Sequence, residues 1–244
     1  MLRALLFDVD GTLADTERDA HLPAFNAAFR EFGLGWEWDP ELYAELLAVT
    51  GGKERIRFHA ERIGVRLPDD LVGALHAAKT RHYTRMIAEG GIPLRPGVRR
   101  LLEEARAAGV ALAIATTTTP ENVTALLRHS LAPDGPEWFA VIGAGDVVPA
   151  KKPAPDIYEW VLERLGLEAG ECLALEDSHN GLRASLGAGV ATVITVNGYT
   201  RDDDFSGAHA VVSHLGEAGA PYRRLDGEGS GVVDLATLRS WHGG

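Results

Sequence analysis

Leu2-Arg3-Ala4-Leu5-Leu6-Phe7-Asp8-Val9-Asp10-Gly11-Thr12 opens the chain as an apolar, strand-like run, Leu2 to Val9, ending in two acids and a turn. The segments downstream decide how the run is used. From about Pro93 onward, apolar β-rich runs alternate with amphipathic helical ones. Val98 to Ala105 reads as a helix behind Pro96-Gly97, closed by Gly109, and Val110 to Thr116 reads as a strand. Thr119-Pro120 suits the N-cap and first position of the next helix. Val141-Ile142, Cys172 to Leu175, Val190 to Val196 and Ala210 to Val212 read as strands, with Pro155 to Leu165 and Gly181 to Ala188 as helices between them. Continuous apolar strands belong to sheets covered on both faces. The alternation predicts an α/β fold built on a Rossmann-like doubly wound parallel sheet.

Residues 18–90 break this alternation. Leu22, Phe25, Phe29 and Phe32 recur at helical spacing; Asp39-Pro40-Glu41 opens a second helix, Glu54 to Ile63 forms a third, and Asp69-Asp70 a fourth reaching about Ala88. The pattern predicts an all-helical cap, 18–90, inserted into a core made of 1–17 and 91–215. The stretch 216–244 is Gly-rich and shows no period, so no element or role is assigned to it.

Charge and composition narrow the partners. With 24 Lys+Arg against 35 Asp+Glu, the formal net charge is −11, which argues against nucleic acid or an anionic membrane as a partner. No apolar run approaches the roughly 20 residues of a membrane span. The first strand begins almost at once, so no signal peptide is expected, and a lone Cys172 fits a reducing bacterial cytoplasm. A monomer is expected. Residues 51–90 nevertheless carry eight Lys/Arg against five acids, a +3 segment in an acidic chain. This is either a solvated helical surface or a local anion site.

Ligands of open parallel sheets bind beyond the carboxyl ends of the strands. Here those ends carry Asp8-Val9-Asp10-Gly11-Thr12, then Thr116-Thr117-Thr118-Thr119, then Lys151-Lys152, then Glu176-Asp177-Ser178. Each has a plain alternative: a solvated acid pair, an edge hydroxyl, a surface lysine, acids favoured by a helix dipole. Their joint occurrence at successive strand ends is a phosphate-plus-metal constellation. Mg²⁺ takes few carboxylates, the rest of its oxygens being water and phosphate. Asp8 and Asp177 can supply carboxylates, with Glu176 beside them, and Asp10 its backbone carbonyl. Asp8 is then free to attack phosphorus, and Asp10 to act as acid and base. Crowding among these acids is expected to raise the Asp10 pKa. Thr116 and the amides after it form an anion cradle, and Lys152 offsets phosphoryl charge.

With these motifs the chain resembles the haloacid dehalogenase superfamily of aspartate-dependent phosphohydrolases, on Phe7 to Leu13, Thr116, Lys152 in Lys-Pro-Ala-Pro-Asp, and Glu176-Asp177-Ser178. The insert resembles its helical cap of the first type. Asp15-Thr16-Glu17, His21, Thr50 to Arg55, His76 to Thr80 and Ala115 to Thr119 are similar to the CbbY group, whose members dephosphorylate xylulose 1,5-bisphosphate. The resemblance implies that Glu17, His21, Gly51, Gly52, Lys53, Arg55, His76, Lys79, Thr117 and Thr118 contact the sugar or its distal phosphate. Chemically, Gly51-Gly52 lets backbone N–H groups approach an anion, and Arg55 can clamp phosphate bidentately. His76 and Lys79 equally fit a solvated basic stripe, Glu17 a linker acid, and Tyr43 either the cap core or a ligand contact. The expected activity is Mg²⁺-dependent hydrolysis of a sugar phosphate through an aspartyl-phosphate. The alternatives are a β-phosphoglucomutase-like isomerase and a phosphonoacetaldehyde-hydrolase-like enzyme using Lys53.

Overall fold

The computed structural model describes residues 1–243. Strands β1 (Ala4–Phe7), β2 (Ala111–Ala115), β3 (Val141–Gly143), β4 (Cys172–Glu176), β5 (Ala191–Thr195) and β6 (Ala210–Val212) form one sheet. It is parallel throughout, in the order β3-β2-β1-β4-β5-β6. This is the doubly wound order, which reverses direction at β1. The crevice at such a reversal is where these sheets take ligands, and the residue that follows β1 is Asp8. All four β1 residues and all five of β4 are buried, which explains their unbroken apolar runs.

Four helices separate β1 from the remaining strands: α1 (Leu22–Glu31), α2 (Pro40–Leu46), α3 (Gly52–Arg62) and α4 (Asp69–Gly90). They enclose an aromatic cluster of Phe25, Phe29, Trp38 and Tyr43 with Ile56 and Leu75, distinct from the clusters that flank the sheet. Asp39 caps α2 by accepting from the Leu42 amide at 2.7 Å. A π-helical turn, Glu17–His21, leads into α1. The sheet is flanked by α5 (Val98–Ala107), α6 (Pro120–Leu126), α7 (Asp156–Leu165) and α8 (His179–Gly187). Thr119 occupies the N-cap position of α6 with extended backbone, yet its side chain makes no capping bond. Among the described residues, no helix is long and apolar enough to cross a membrane.

The stretch after 216, patternless as sequence, carries structure. β7 (Tyr222–Arg223) pairs antiparallel with β8 (Ser230–Gly231), and α9 (Leu235–His242) packs against α5. Leu235 and Leu238 are buried in the cluster that contains β1, and Arg100 donates to the Val233 carbonyl at 2.8 Å. Two-residue strands and a helix buried along one edge are too short to produce a detectable period.

Candidate active site

Asp8 stands at the end of β1, 7% exposed, with its Oδ1 accepting from Lys152 Nζ at 2.7 Å. Lys152 also donates to Glu176 Oε1 at 2.5 Å, and Tyr158 donates to the same oxygen at 2.6 Å. The far Glu176 oxygen accepts from the Asp177 amide at 3.3 Å, so this fully buried acid faces the lysine and not the cavity. Asp177 Oδ2 accepts from Asn197 Nδ2 at 2.6 Å. Gly11 makes this packing possible: its φ is +85°, and a Cβ there would lie 2.3 Å from Asp177 Oδ2.

Carboxylate oxygens of Asp8, Glu176 and Asp177 lie within 4.8 Å of one another. Burial, then neighbouring Glu176 and Asp10, push the Asp8 carboxyl up to about 7 despite Lys152. Burial, with Asp8 and Glu176 next in weight, raises Asp177 well above the carboxylate range. Crowded, buried hard oxygens with raised proton affinity are a donor set suited to a hard divalent cation. With Glu176 committed to Lys152 and Tyr158, the carboxylates free to face such an ion are Asp8 and Asp177.

Asp10 corrects an expectation. Its carboxyl is not raised but drawn down to about 2. Burial alone would raise it, but His21 and the Thr16 hydroxyl outweigh that. Thr16 Oγ1 donates to Asp10 Oδ1 at 2.6 Å, and His21 Nε2 stands 2.8 Å from the same atom, off the line of a straight hydrogen bond. Lys79, buried on α4, reaches His21 Nδ1 from behind, and burial lowers its ammonium to about 8. His21 and Lys79 thus back Asp10 and line neither cavity.

A cavity of about 530 Å³ brings together Asp8, Asp10, Glu17, Arg55, Thr116, Thr117, Lys152 and Asp177. Gly51, Gly52, Lys53 and His76 line a second one of about 340 Å³, which shares Thr117 with the first. The expected phosphate clamp is therefore divided. Arg55 turns inward, donating to the Tyr43 hydroxyl at 2.8 Å, and that hydroxyl in turn donates to Glu17. Lys53 turns outward to Asp146 Oδ2 at 2.8 Å. Gly52 serves close packing, because a Cβ there would lie 2.7 Å from the His76 ring. Thr116 is buried, its Oγ1 accepting from the Thr118 amide at 3.4 Å, while Thr118 accepts from Asn122 and lines neither cavity.

Tyr158, Asn197, Tyr43 and Thr16 are parts of this site that sequence reading missed or left open. Asn197 could have been found, because it comes after β5 as the other site residues come after their strands. Nothing local marks Tyr158, whose hydroxyl reaches Glu176 because α7 packs on β2 and β3 beside it.

A buried acid at the switch point, a lysine on it and a second acid opposite define a class of enzyme. The chain belongs to the haloacid dehalogenase-like hydrolase family, whose model matches residues 2–189. Among its relatives within that family are CbbY proteins. The plasmid CbbY of Cupriavidus necator is 52% identical over 250 residues, covering 100% of this chain and 98% of that protein. The crystal structure of CbbY from Rhodobacter sphaeroides in complex with phosphate has a TM-score of 0.83 at 46% identity, over 90% of this chain and 97% of that one. A mutant of that CbbY in complex with xylulose-(1,5)bisphosphate has the same TM-score and coverage at 45% identity.

Proposed function

We propose that the chain is a Mg²⁺-dependent phosphatase that converts xylulose 1,5-bisphosphate to xylulose 5-phosphate and phosphate. The observation that carries this is the meeting of Asp8, Lys152 and Asp177 with Glu17 and Arg55 in one cavity. A phosphoryl-transfer set would thereby face Arg55 of the helical insert, with the acid Glu17 at the junction between insert and core. The bisphosphate bound to a CbbY protein supports the choice of substrate.

Asp8 Oδ attacks phosphorus, and the bond from phosphorus to the sugar oxygen breaks, leaving an aspartyl-phosphate on Asp8. Asp10 hands a proton to the departing sugar oxygen. The dianionic phosphate arriving beside Asp10 raises its proton affinity above that of the empty site, which suits it to that task. In the second half Asp10 takes a proton from water as the water oxygen attacks phosphorus, and Asp8 is regenerated. Lys152 and the Thr116 hydroxyl hold the equatorial phosphoryl oxygens. Asp8, Asp177 and the Asp10 carbonyl would hold Mg²⁺, which supplies positive charge to offset that of the transferring group. Glu17 accepts from sugar hydroxyls and Arg55 pairs with the distal phosphate.

Phosphate release across xylulose and ribulose 1,5-bisphosphates and the corresponding monophosphates tests the reading. Preference for the xylulose bisphosphate is expected. Preference for a monophosphate overturns the substrate, and isomer formation without phosphate release overturns the reaction.

A further inference from the structure

Arg95 lies outside both cavities, yet its guanidinium ties together several segments of the catalytic framework. It sits beyond α4 on the segment that returns to the core, and its amide donates to the Leu13 carbonyl at 2.9 Å. The side chain is 6% exposed and runs beneath the loops that carry the acids. Nη1 donates to the Gly11 carbonyl, to the Thr195 carbonyl at 2.9 Å and to Thr195 Oγ1 at 3.0 Å. Nη2 donates to the Val196 carbonyl and to that of Ser213 at 3.2 Å. Nε stands 3.2 Å from Asp15 Oδ1. Every nitrogen of the guanidinium is therefore engaged, a pattern open to arginine and closed to lysine with its single ammonium.

The partners are what give this clasp a catalytic meaning. Gly11 opens the turn, 11–13, that follows Asp8 and Asp10. Val196 precedes Asn197, whose side-chain Nδ2 donates to Asp177 Oδ2 at 2.6 Å. A Cβ on Gly11 would lie 2.5 Å from Asn197 Nδ2 and 2.3 Å from Asp177 Oδ2, so these loops touch with no slack. Arg95 ties the Gly11 turn to the end of β5 directly below that contact. We propose that Arg95 is a positioning residue that sets the spacing between the Asp8 and Asp177 carboxylates, and with it the affinity of the site for its divalent cation. The proposal rests on the reading of those two acids as the phosphoryl- and metal-handling pair.

The test is Mg²⁺ binding by isothermal titration calorimetry, with turnover measured alongside, on the whole chain and on Arg95→Lys, Arg95→Ala and Thr195→Val. Partners that orient metal ligands typically alter affinity about 10–100-fold when removed. Arg95→Lys should weaken Mg²⁺ binding by about tenfold or more and lower kcat. KM for the sugar phosphate should stay within about threefold, because Glu17 and Arg55 are untouched. Added guanidinium should restore Mg²⁺ affinity to Arg95→Ala where methylammonium, a cation without the planar five-donor fork, does not; equal rescue by both would point to packing alone. Thr195→Val should show a smaller loss in the same direction. Native Mg²⁺ affinity in a folded Arg95→Lys chain overturns the proposal. If neither Arg95 variant folds, Thr195→Val decides, and unchanged Mg²⁺ affinity there overturns it. Failure of the native chain itself to bind Mg²⁺ would instead overturn the functional reading beneath it.

Discussion

Lys53, at the start of α3, meets Asp146, on the loop after β3, at 2.8 Å, so one ion pair joins the helical insert to the sheet beside the second cavity. Asp146 is shared with Lys151 at 2.6 Å, next in sequence to Lys152. Side chains this exposed contribute at most about 1 kcal/mol. If closure of the insert over the sheet depends on the pair, Lys53→Gln should raise KM by up to about fivefold at low salt, with little change in melting temperature. At high ionic strength the two enzymes should converge, because screening removes the pair from both. Steady-state kinetics across a salt series checks this.

Replacing Asp8 or Asp10 by Asn should abolish nearly all turnover and leave the fold intact. Loss of the acid–base group alone is expected to cost about 10²–10⁴ in rate, and loss of the nucleophile more. Phosphate release together with circular dichroism separates the two effects; full activity in Asp8→Asn would exclude the aspartyl-phosphate route.

Tyr43→Phe removes one hydroxyl, the one that joins Arg55 to Glu17. A hydrogen bond to a charged group is worth about 1.5–3 kcal/mol, so KM for the sugar bisphosphate should rise by roughly 12–150-fold at similar kcat. Hydrolysis of p-nitrophenyl phosphate, which presents no sugar to Glu17, should be unchanged. Parallel losses on both substrates would show that Tyr43 merely supports the fold.

The Asp8 carboxyl, raised to about 7, makes metal-free stability depend on pH. An acid whose folded pKa exceeds its unfolded value imposes no cost below the unfolded pKa. Its cost grows as pH rises through the interval and is complete above the folded pKa. Asp8 and Asp177 therefore lower the metal-free melting temperature between about pH 4 and 7, against His76, which burial holds down to about 3 and which raises it over the same range; the native profile should accordingly lie below that of Asp8→Asn by an amount that grows with pH. Saturating Mg²⁺ should offset the contribution of the two acids and stabilise most at the alkaline end. Scanning calorimetry with and without EDTA measures both.

Leu238 on α9 is fully buried against the sheet cluster. Leu238→Ala should cost about 2–5 kcal/mol, visible as an earlier urea midpoint. A negligible cost would mean that α9 does not belong to the cooperative core.

Local pattern carried a large part of this molecule. Apolar runs, helical spacing and turn residues lie within a few positions of one another, so the chain by itself determined the alternating strands and helices, the helical insert, and the acids, threonines and lysine at the strand ends. Each catalytic candidate was found because a parallel sheet gathers its strand ends on one rim, whatever packs elsewhere. Tertiary structure alone decided which of these groups touch. Lys152 meets Asp8 across 144 positions and Arg95 meets Thr195 across 100, distances at which sequence carries no geometric signal. It divided the Gly51 to Arg55 stretch between two cavities, because α3 turns Arg55 inward and Lys53 toward Asp146. It reversed the expected proton affinity of Asp10, because His21 and Thr16 approach it through space. Burial and charge act through distance in three dimensions, and only the packed chain sets those distances.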